Sequence, residues 1–216
     1  MLRKIKSMIK HTLLYEIISP VWQRIELRFW EKKGKPIPLP RLMKQAIIKQ
    51  YAREFSIDTL IETGTYLGDM VHATKDTFSK IVTIELNKYL FERAKKKFAR
   101  FDHISVIEGS SAEVLPQILI DITQPCLFWL DAHYSGGITA KDKLETPIIQ
   151  ELSYILHHSV AEHVILIDDA REFVGRNGYP TIQKLQNLTF ERHPDWIFEV
   201  KDDIIRIHKR LRHLDN

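Results

Sequence analysis

The sequence predicts an α/β fold built on a doubly wound, mostly parallel β-sheet, and three observations support this prediction. Short apolar segments alternate with helical segments from about residue 41 onwards. The apolar segments are hydrophobic on both faces, which is typical of parallel strands that are covered by helices on each side. Two alternating segments around Asp202-Asp203 predict a closing hairpin, which adds an antiparallel strand at or near one edge of the sheet.

Seven strands are expected, five of them apolar and two in the hairpin. Their segments are TLIETGT (59–65), KIVTIEL (80–86), ISVIEGS (104–110), CLFWLDAH (126–133), HVILIDDA (163–170) and, for the hairpin, WIFEVKDDIIRIHK (196–209). Helical segments lie before and between them, at 41–55, 69–78, 87–100, 111–119, 146–159 and 181–192. Asn87 stands where an N-cap is needed, directly before the clearest of these helices.

Residues 1–36 predict a basic amphipathic helical arm that is distinct from the α/β domain of residues 37–216. The arm holds nine Lys/Arg and three Glu, a net charge of +6, whereas the whole chain carries +4. Ser19-Pro20 is expected to interrupt its helix, and the proline-rich segment GKPIPLPR (34–41) to link it to the domain. Two uses of the arm stay open, namely peripheral contact with an anionic membrane and packing on the domain or on a second subunit in a homo-oligomer.

Composition excludes several classes of protein. The single cysteine, Cys126, excludes a disulfide framework, and it lies in an apolar segment as a buried small side chain would. No apolar run reaches the length of a membrane span, and no secretory signal is recognisable. A near-neutral domain argues against a nucleic-acid partner. We therefore predict a cytoplasmic protein, either free or associated peripherally with a membrane.

Acidic and polar residues follow every one of the five apolar strands. Parallel strands share a direction, so these endings meet at one edge of the sheet, where ligands bind in folds of this kind. The residues concerned are Glu62 with Gly64, Glu85, Glu108 with Gly109, Asp131 with His133, and the pair Asp168-Asp169. The sequence thus predicts a ligand site at this edge.

The turn after the first strand separates two classes of cofactor. A dinucleotide site needs a first glycine at the position that Glu62 occupies, because bare backbone must approach the pyrophosphate there. A carboxylate at that position instead suits a cationic cofactor. Glu85, 21 residues after Gly64, is placed to accept hydrogen bonds from two ribose hydroxyls of either class. An NAD-dependent oxidoreductase is therefore disfavoured by Glu62 alone.

The motifs ETGTYLGD, VTIELN, VIEGSSAEVLPQI, FWLDAH and LIDDA, in this order and spacing, resemble class I S-adenosylmethionine-dependent methyltransferases. The resemblance covers about residues 41–209. It is strongest to metal-dependent O-methyltransferases of the catechol and macrocin O-methyltransferase type. It implies a Rossmann-like seven-stranded sheet with a closing hairpin. It also implies the following cofactor-binding residues: Glu62, Gly64, Thr65, Tyr66 and Gly68 at the methionine part, Glu85 at the ribose, Gly109, Ser110 and Ser111 at the adenine, and Asp131.

The same resemblance implies a metal site formed by Asp131, Asp168 and Asp169. Three converging carboxylates repel one another unless a cation lies between them. Ligands that are all oxygen favour magnesium, with manganese or calcium as alternatives. Such an ion would hold the acceptor and lower the pKa of its hydroxyl.

His133 and Lys141 are the candidate catalytic bases. Lys143 competes with them, and the position at which catechol-type enzymes have a lysine is Tyr134, so the sequence departs from that pattern. We therefore predict O-methylation of a small hydroxylated acceptor, with a sugar, glycan or natural-product precursor suggested by the macrocin-type branch. The alternative is a non-catalytic protein with the same fold that docks to a membrane or partner through its arm.

Overall fold

The computed structural model describes residues 13–132 and 146–210. The chain divides into two compact units, residues 1–47 and residues 48–216. The first unit contains helix α1 (Leu13–Lys32) and the start of helix α2 (Arg41–Glu54). The expected boundary between an arm of residues 1–36 and a domain of residues 37–216 stays a prediction. No helix in the described ranges is both long enough and apolar enough to cross a bilayer.

Helix α1 continues through Pro20, so the predicted interruption at Ser19-Pro20 is wrong. Proline has a backbone φ that suits a helix and removes a single backbone hydrogen bond, which a helix of 20 residues can lose. The Ser19 hydroxyl accepts a hydrogen bond from Gln23 Nε2 at 3.1 Å, one turn further along. The helix ends at Lys32, and Gly34 follows it with a φ of +80°. The glycine therefore follows directly after the last turn of this helix, and its left-handed backbone suits a helix end.

The second unit is built on a seven-stranded sheet. Its strands are β1 (Thr59–Thr63), β2 (Lys80–Glu85), β3 (Ile104–Glu108), β4 (Leu127–Leu130), β5 (Val164–Ile167), β6 (Trp196–Lys201) and β7 (Ile204–Lys209). The order across the sheet is β3-β2-β1-β4-β5-β7-β6. Strands β1 to β5 are parallel, and β7 pairs antiparallel with both β5 and β6. The predicted fold class is confirmed, with the hairpin at one edge.

Helices connect the parallel strands. They are α3 (Asp69–Thr74), α4 (Lys88–Phe98), α5 (Ser111–Ile120), α6 (Ile148–Leu156) and α7 (Ile182–Arg192), with a short 3₁₀ helix at Ala170–Glu172. The Asn87 side chain accepts a hydrogen bond from Leu90 N, which confirms the predicted N-cap of α4. Asp202 and Asp203 turn the hairpin with φ of +55° and +63°, the left-handed pair that a two-residue hairpin loop requires.

Both faces of the central strands β1, β4 and β5 are buried. Phe128 and Ile165 pack in a cluster with Leu115 and Leu152 from helices α5 and α6. Trp129, on the opposite face of β4 from Phe128, is 1% exposed. Cys126 is buried as predicted, and burial raises the pKa of its thiol to about 12. The chain reverses its winding between β1 and β4, which lie side by side, and a crevice at the carboxyl ends of two such strands is the usual ligand site of the architecture.

Candidate functional site

The rim of the candidate site begins where the backbones of β1 and β4 almost touch. Gly64 directly follows β1, and a Cβ atom built on it would lie 2.5 Å from the carbonyl oxygen of Asp131. Its φ of +90° also disfavours any residue with a side chain. Asp131 N donates to Thr63 O at 3.0 Å, which extends the strand pairing up to this point. The glycine therefore allows Asp131 to lie against the end of β1.

Glu62 is a buried carboxyl beside this close approach. It is 2% exposed and accepts a hydrogen bond from Thr83 Oγ1 at 2.5 Å, while Thr83 Oγ1 lies 2.6 Å from Thr65 Oγ1. The pKa of Glu62 is raised to about 8, mainly by burial and also by the charges of Asp131, Glu85 and Asp69, against the opposing effect of the Thr83 hydrogen bond. An anion at this position is therefore costly until a cation approaches it.

Glu85, at the end of β2, is fixed by the backbone of the rim. Its Oε2 accepts from Tyr66 N at 2.7 Å, and its Oε1 accepts from Asn87 N at 2.8 Å. Burial raises the pKa of Glu85, and these backbone bonds act in the opposite direction. Each carboxylate oxygen retains acceptor capacity, since a carboxylate offers about four lone-pair positions. The carboxylate is thus oriented as an acceptor for two neighbouring hydroxyls.

Two further segments complete this part of the rim. Tyr66 adopts a left-handed conformation with φ of +50°, a strained state that clusters at functional sites. Gly109 N donates to Glu85 O at 3.0 Å, which joins the end of β3 to the end of β2. Ser110 and Ser111, at the start of α5, are both buried.

The three predicted metal ligands lie together. One carboxylate oxygen from each of Asp131, Asp168 and Asp169 lies within 4.8 Å of the others. Asp168 is 3% exposed, and its Oδ1 accepts from Asp169 N at 2.8 Å. Asp169 has a φ of +54°. This unfavourable backbone conformation turns the second aspartate of the pair towards the rim at a cost on the order of 1 kcal/mol.

Arg171 lies against the outer side of this triad. Its Nη1 donates to Asp169 Oδ1 at 2.8 Å and also to Asp203 Oδ2, in the hairpin turn. Asp203 also accepts from Arg171 N at 2.9 Å through Oδ1. Arg171 thus offsets part of the negative charge of both aspartates.

A narrow cavity lies beside Asp168, with a volume of about 10 Å³, which is room for one water molecule. Apolar side chains from β4, β5 and α6 form most of its wall. Glu151 and Tyr179 contribute polar groups, and Glu151 is 1% exposed. The buried carboxyl group of Glu151 therefore lines the same cavity as the candidate metal ligand Asp168.

The described part of the chain brings together every predicted cofactor and metal residue at one edge of the sheet. The candidate bases His133 and Lys141, and also Tyr134 and Lys143, lie outside the described residues. Sequence reasoning missed three residues, namely Thr83, Glu151 and Asp203. Thr83 is a polar residue in an otherwise apolar stretch of strand β2, and Glu151 is a charged residue on the buried face of helix α6. Both exceptions are visible in the sequence. Asp203 carried no such signal, since turns are commonly acidic.

Several solved structures with similar folds contain bound SAM or SAH. The methyltransferase PaMTH1 of Podospora anserina, solved with bound SAH, has a TM-score of 0.56 and 20% identity, over 87% of this chain and 88% of that chain. An O-methyltransferase of Bacillus cereus in complex with SAH has a TM-score of 0.57 and 18% identity, over 92% and 98%. The O-methyltransferase TomG of Streptomyces achromogenes, in complex with SAM, has a TM-score of 0.55 and 16% identity, over 86% and 87%.

These similarities are similarities of fold. No protein-family model matches the chain, and no curated protein is significantly similar to it in sequence. At this level of identity the neighbours establish the architecture, which is the class I methyltransferase fold. The fold that the sequence motifs imply is therefore confirmed.

Proposed function

We propose that this protein is an S-adenosylmethionine-dependent methyltransferase that methylates a hydroxyl oxygen of a small acceptor with the help of a divalent ion. One observation carries the proposal. A buried carboxyl, Glu62, lies at the reversal point of the sheet with a pKa raised to about 8, at the position where a dinucleotide site needs a bare glycine. Such a group favours a ligand that brings positive charge, as the sulfonium and ammonium of S-adenosylmethionine do.

The rim residues have separate roles in this proposal. Glu85 accepts hydrogen bonds from the two ribose hydroxyls, because both of its oxygens are already oriented by backbone N–H groups. Gly64 admits the methionine part close to the backbone, and Ser110 and Ser111 border the adenine. Glu62 orients the ammonium end. When bound, S-adenosylmethionine supplies a methyl group on a positively charged sulfur, which an acceptor oxygen can attack in line.

The aspartate triad fits a divalent ion in its chemistry and dimensions. Oxygens around a six-coordinate ion such as Mg²⁺ lie roughly 3 to 4 Å apart, somewhat more around Ca²⁺, and the three oxygens here lie within 4.8 Å of one another. Asp131, Asp168 and Asp169 would hold the ion. A bound ion would supply charge that lowers the pKa of the acceptor hydroxyl. His133 and Lys141 remain the predicted candidates for the group that takes the hydroxyl proton.

A calorimetric titration tests the cofactor part of the proposal. We expect S-adenosylhomocysteine and S-adenosylmethionine to bind at micromolar concentrations, and NAD not to bind at the same concentrations. Glu85→Gln should weaken the binding of both by at least about tenfold, since two charge-assisted hydrogen bonds become weaker. The proposal would be contradicted if NAD bound, or if neither S-adenosylmethionine nor S-adenosylhomocysteine bound.

The metal part has its own test. Asp131→Asn and Asp168→Asn should each lower the affinity for Mn²⁺, measured from the electron paramagnetic resonance signal of the free ion. Both should leave S-adenosylhomocysteine affinity nearer to that of the wild type than Glu85→Gln does. Once an acceptor is known, activity should be lost in EDTA. Full, EDTA-insensitive activity of both variants would remove the ion from the proposal.

A second candidate function, membrane docking without catalysis, rests on helix α1. Val21, Ile25 and Phe29 recur at every fourth residue and are 56%, 38% and 56% exposed, and residues 1–36 carry a net charge of +6. Basic charge and an apolar stripe together suit an anionic lipid surface. Sedimentation with vesicles that contain phosphatidylglycerol tests this candidate. Ile25→Asp/Phe29→Asp should release the protein, and an unchanged bound fraction would contradict docking through this face.

A further inference from the structure

The hairpin turn between β6 and β7 places a buried carboxylate next to the aspartate triad. The side chain of Asp203 is 1% exposed. Its carbonyl oxygen accepts from Ala170 N at 2.8 Å, and its Oδ1 accepts from Arg171 N at 2.9 Å. The turn is therefore fastened to the segment that directly follows Asp168 and Asp169, although it comes more than 30 residues later in the chain.

Arg171 joins this carboxylate to the triad through a single nitrogen. Nη1 donates to both Asp169 Oδ1 and Asp203 Oδ2. The bond to Asp169 uses its Oδ1, at 2.8 Å. The positive charge of Arg171 is thus shared among Asp169, Asp203 and Glu172, whose Oε1 lies 3.4 Å from Arg171 Nε.

We propose that Asp203 is a positioning residue for the metal site, which acts through Arg171 to keep Asp169 oriented for a divalent ion. The inference rests on the proposed function. Without the charge of Asp203, the Arg171 guanidinium is left to Asp169 and Glu172 and competes with the ion for the oxygens of Asp169. This competition lowers the affinity for the ion, and loss of an outer carboxylate of this kind typically costs roughly 10- to 100-fold.

The neighbouring residue offers a matched control. Asp202 lies in the same turn, with a similar φ of +55°, and its carboxylate pairs with Arg206 at 2.9 Å with 46% of the side chain exposed. Replacing either aspartate by asparagine removes one charge and keeps a residue that tolerates the left-handed conformation. The amide introduced by Asp203→Asn also retains an oxygen that can accept from Arg171 N. Asp203→Asn therefore removes a charge beside Arg171 in a buried position, whereas Asp202→Asn removes a charge beside Arg206 in an exposed one.

The test is Mn²⁺ binding, followed by electron paramagnetic resonance without any methyl donor or acceptor. We expect Asp203→Asn to weaken Mn²⁺ binding at least tenfold and Asp202→Asn to change it less than twofold. Both should bind S-adenosylhomocysteine as the wild type does. Equal Mn²⁺ affinities of the two variants would overturn the role of Asp203 and leave the metal site standing. A wild type that does not bind Mn²⁺ would overturn this role and the metal part of the proposed function together.

A double-mutant cycle with Arg171→Gln separates action through Arg171 from a direct effect of the charge. Arg171→Gln alone should bind Mn²⁺ more tightly, because a competing cation is removed. In that background, Asp203→Asn should change the affinity less than twofold. If Asp203→Asn weakened Mn²⁺ binding tenfold both in the wild type and in Arg171→Gln, the inference that Asp203 acts through Arg171 would be overturned. Should Asp203→Asn fail to fold, Arg171→Gln alone decides the question, since an unchanged or weakened affinity contradicts the inference.

Discussion

The two ends of the parallel sheet bury polar groups in opposite ways. At the amino ends of β4 and β5, Cys126 N donates to His163 Nδ1 at 3.0 Å, and His163 Nε2 lies 2.9 Å from His158 Nδ1. His158 Nε2 in turn lies 3.0 Å from Leu119 O. One choice of tautomers satisfies this whole chain, with each proton on Nε2 and both rings neutral.

The carboxyl ends of the same strands hold like charges close together. Glu62 is repelled by Asp131 and Glu85, and a single guanidinium, that of Arg171, lies between Asp169 and Asp203. A satisfied neutral chain stabilises the fold, whereas crowded carboxylates favour the arrival of a cation. Buried polar residues at the two ends of the sheet therefore have different energetic effects. The polar groups at the amino end stabilise the fold, whereas those at the carboxyl end favour binding of a cation.

The largest effect is expected from Gly64→Ala at the carboxyl end. The new methyl group would lie 2.5 Å from Asp131 O, so β1 and β4 must separate, and we expect a loss of about 4 kcal/mol in the free energy of unfolding. Binding of S-adenosylhomocysteine should be abolished. Gly34→Ala is the control, because its φ is +80° with nothing within 4 Å, and it should cost about 1 kcal/mol. Equal losses would show that the close approach is unimportant.

His163→Leu tests the amino end. It leaves Cys126 N without its acceptor in a buried position, and we expect a loss of about 3 kcal/mol at pH 7 in urea unfolding. Burial and, to a smaller extent, the nearby His158 lower the pKa of His163 to about 4. The unfolded chain binds its proton near pH 6.5, so wild-type stability falls as the pH falls from 6.5 to 4. The variant should lose this slope and keep its ligand affinities, whereas a fall in cofactor affinity would contradict the division of roles.

Glu62→Gln should act in the opposite direction. The folded carboxyl holds its proton up to about pH 8, whereas the unfolded one loses it near 4.5, so this residue makes the ligand-free protein less stable as the pH rises between those values. We expect the variant to gain about 2 kcal/mol at pH 8 and little at pH 5, by urea unfolding at both. It should bind S-adenosylmethionine at least tenfold more weakly. A variant that is destabilised at pH 8 would contradict the picture of a crowded rim.

The smallest effect is expected from Asn87→Ala. The variant removes the side-chain cap of α4 but keeps the backbone N–H that Glu85 accepts. We expect a loss of about 1 kcal/mol in thermal or urea unfolding and a change of less than twofold in S-adenosylhomocysteine affinity. A large loss of affinity would mean that the helix start, rather than the fixed carboxylate, forms the ribose site.

The sequence predicted the sheet because strand burial on both faces leaves a local signal, and it predicted the rim because parallel strands deliver their endings to one edge. It could not predict that helix α1 continues through Pro20. The tendency of proline to interrupt a helix is local, whereas a helix of 20 residues can lose one backbone hydrogen bond. It also could not predict that Asp203 meets Arg171, since this contact depends on how the hairpin lies beside β5. The contact between His158 and His163 could not be predicted either, because nothing in the sequence indicates that two histidines five residues apart are hydrogen-bonded to each other.

In the proposed function, the acidic rim binds a cationic methyl donor beside a divalent ion. A crystal soaked with S-adenosylhomocysteine and Mn²⁺ tests it most directly, because the anomalous signal locates the ion. We predict the ribose hydroxyls on Glu85, the amino group of the ligand next to Glu62, and Mn²⁺ bound by Asp131, Asp168 and Asp169. An empty crevice between β1 and β4 at saturating ligand, with the three aspartates turned apart, would contradict the account.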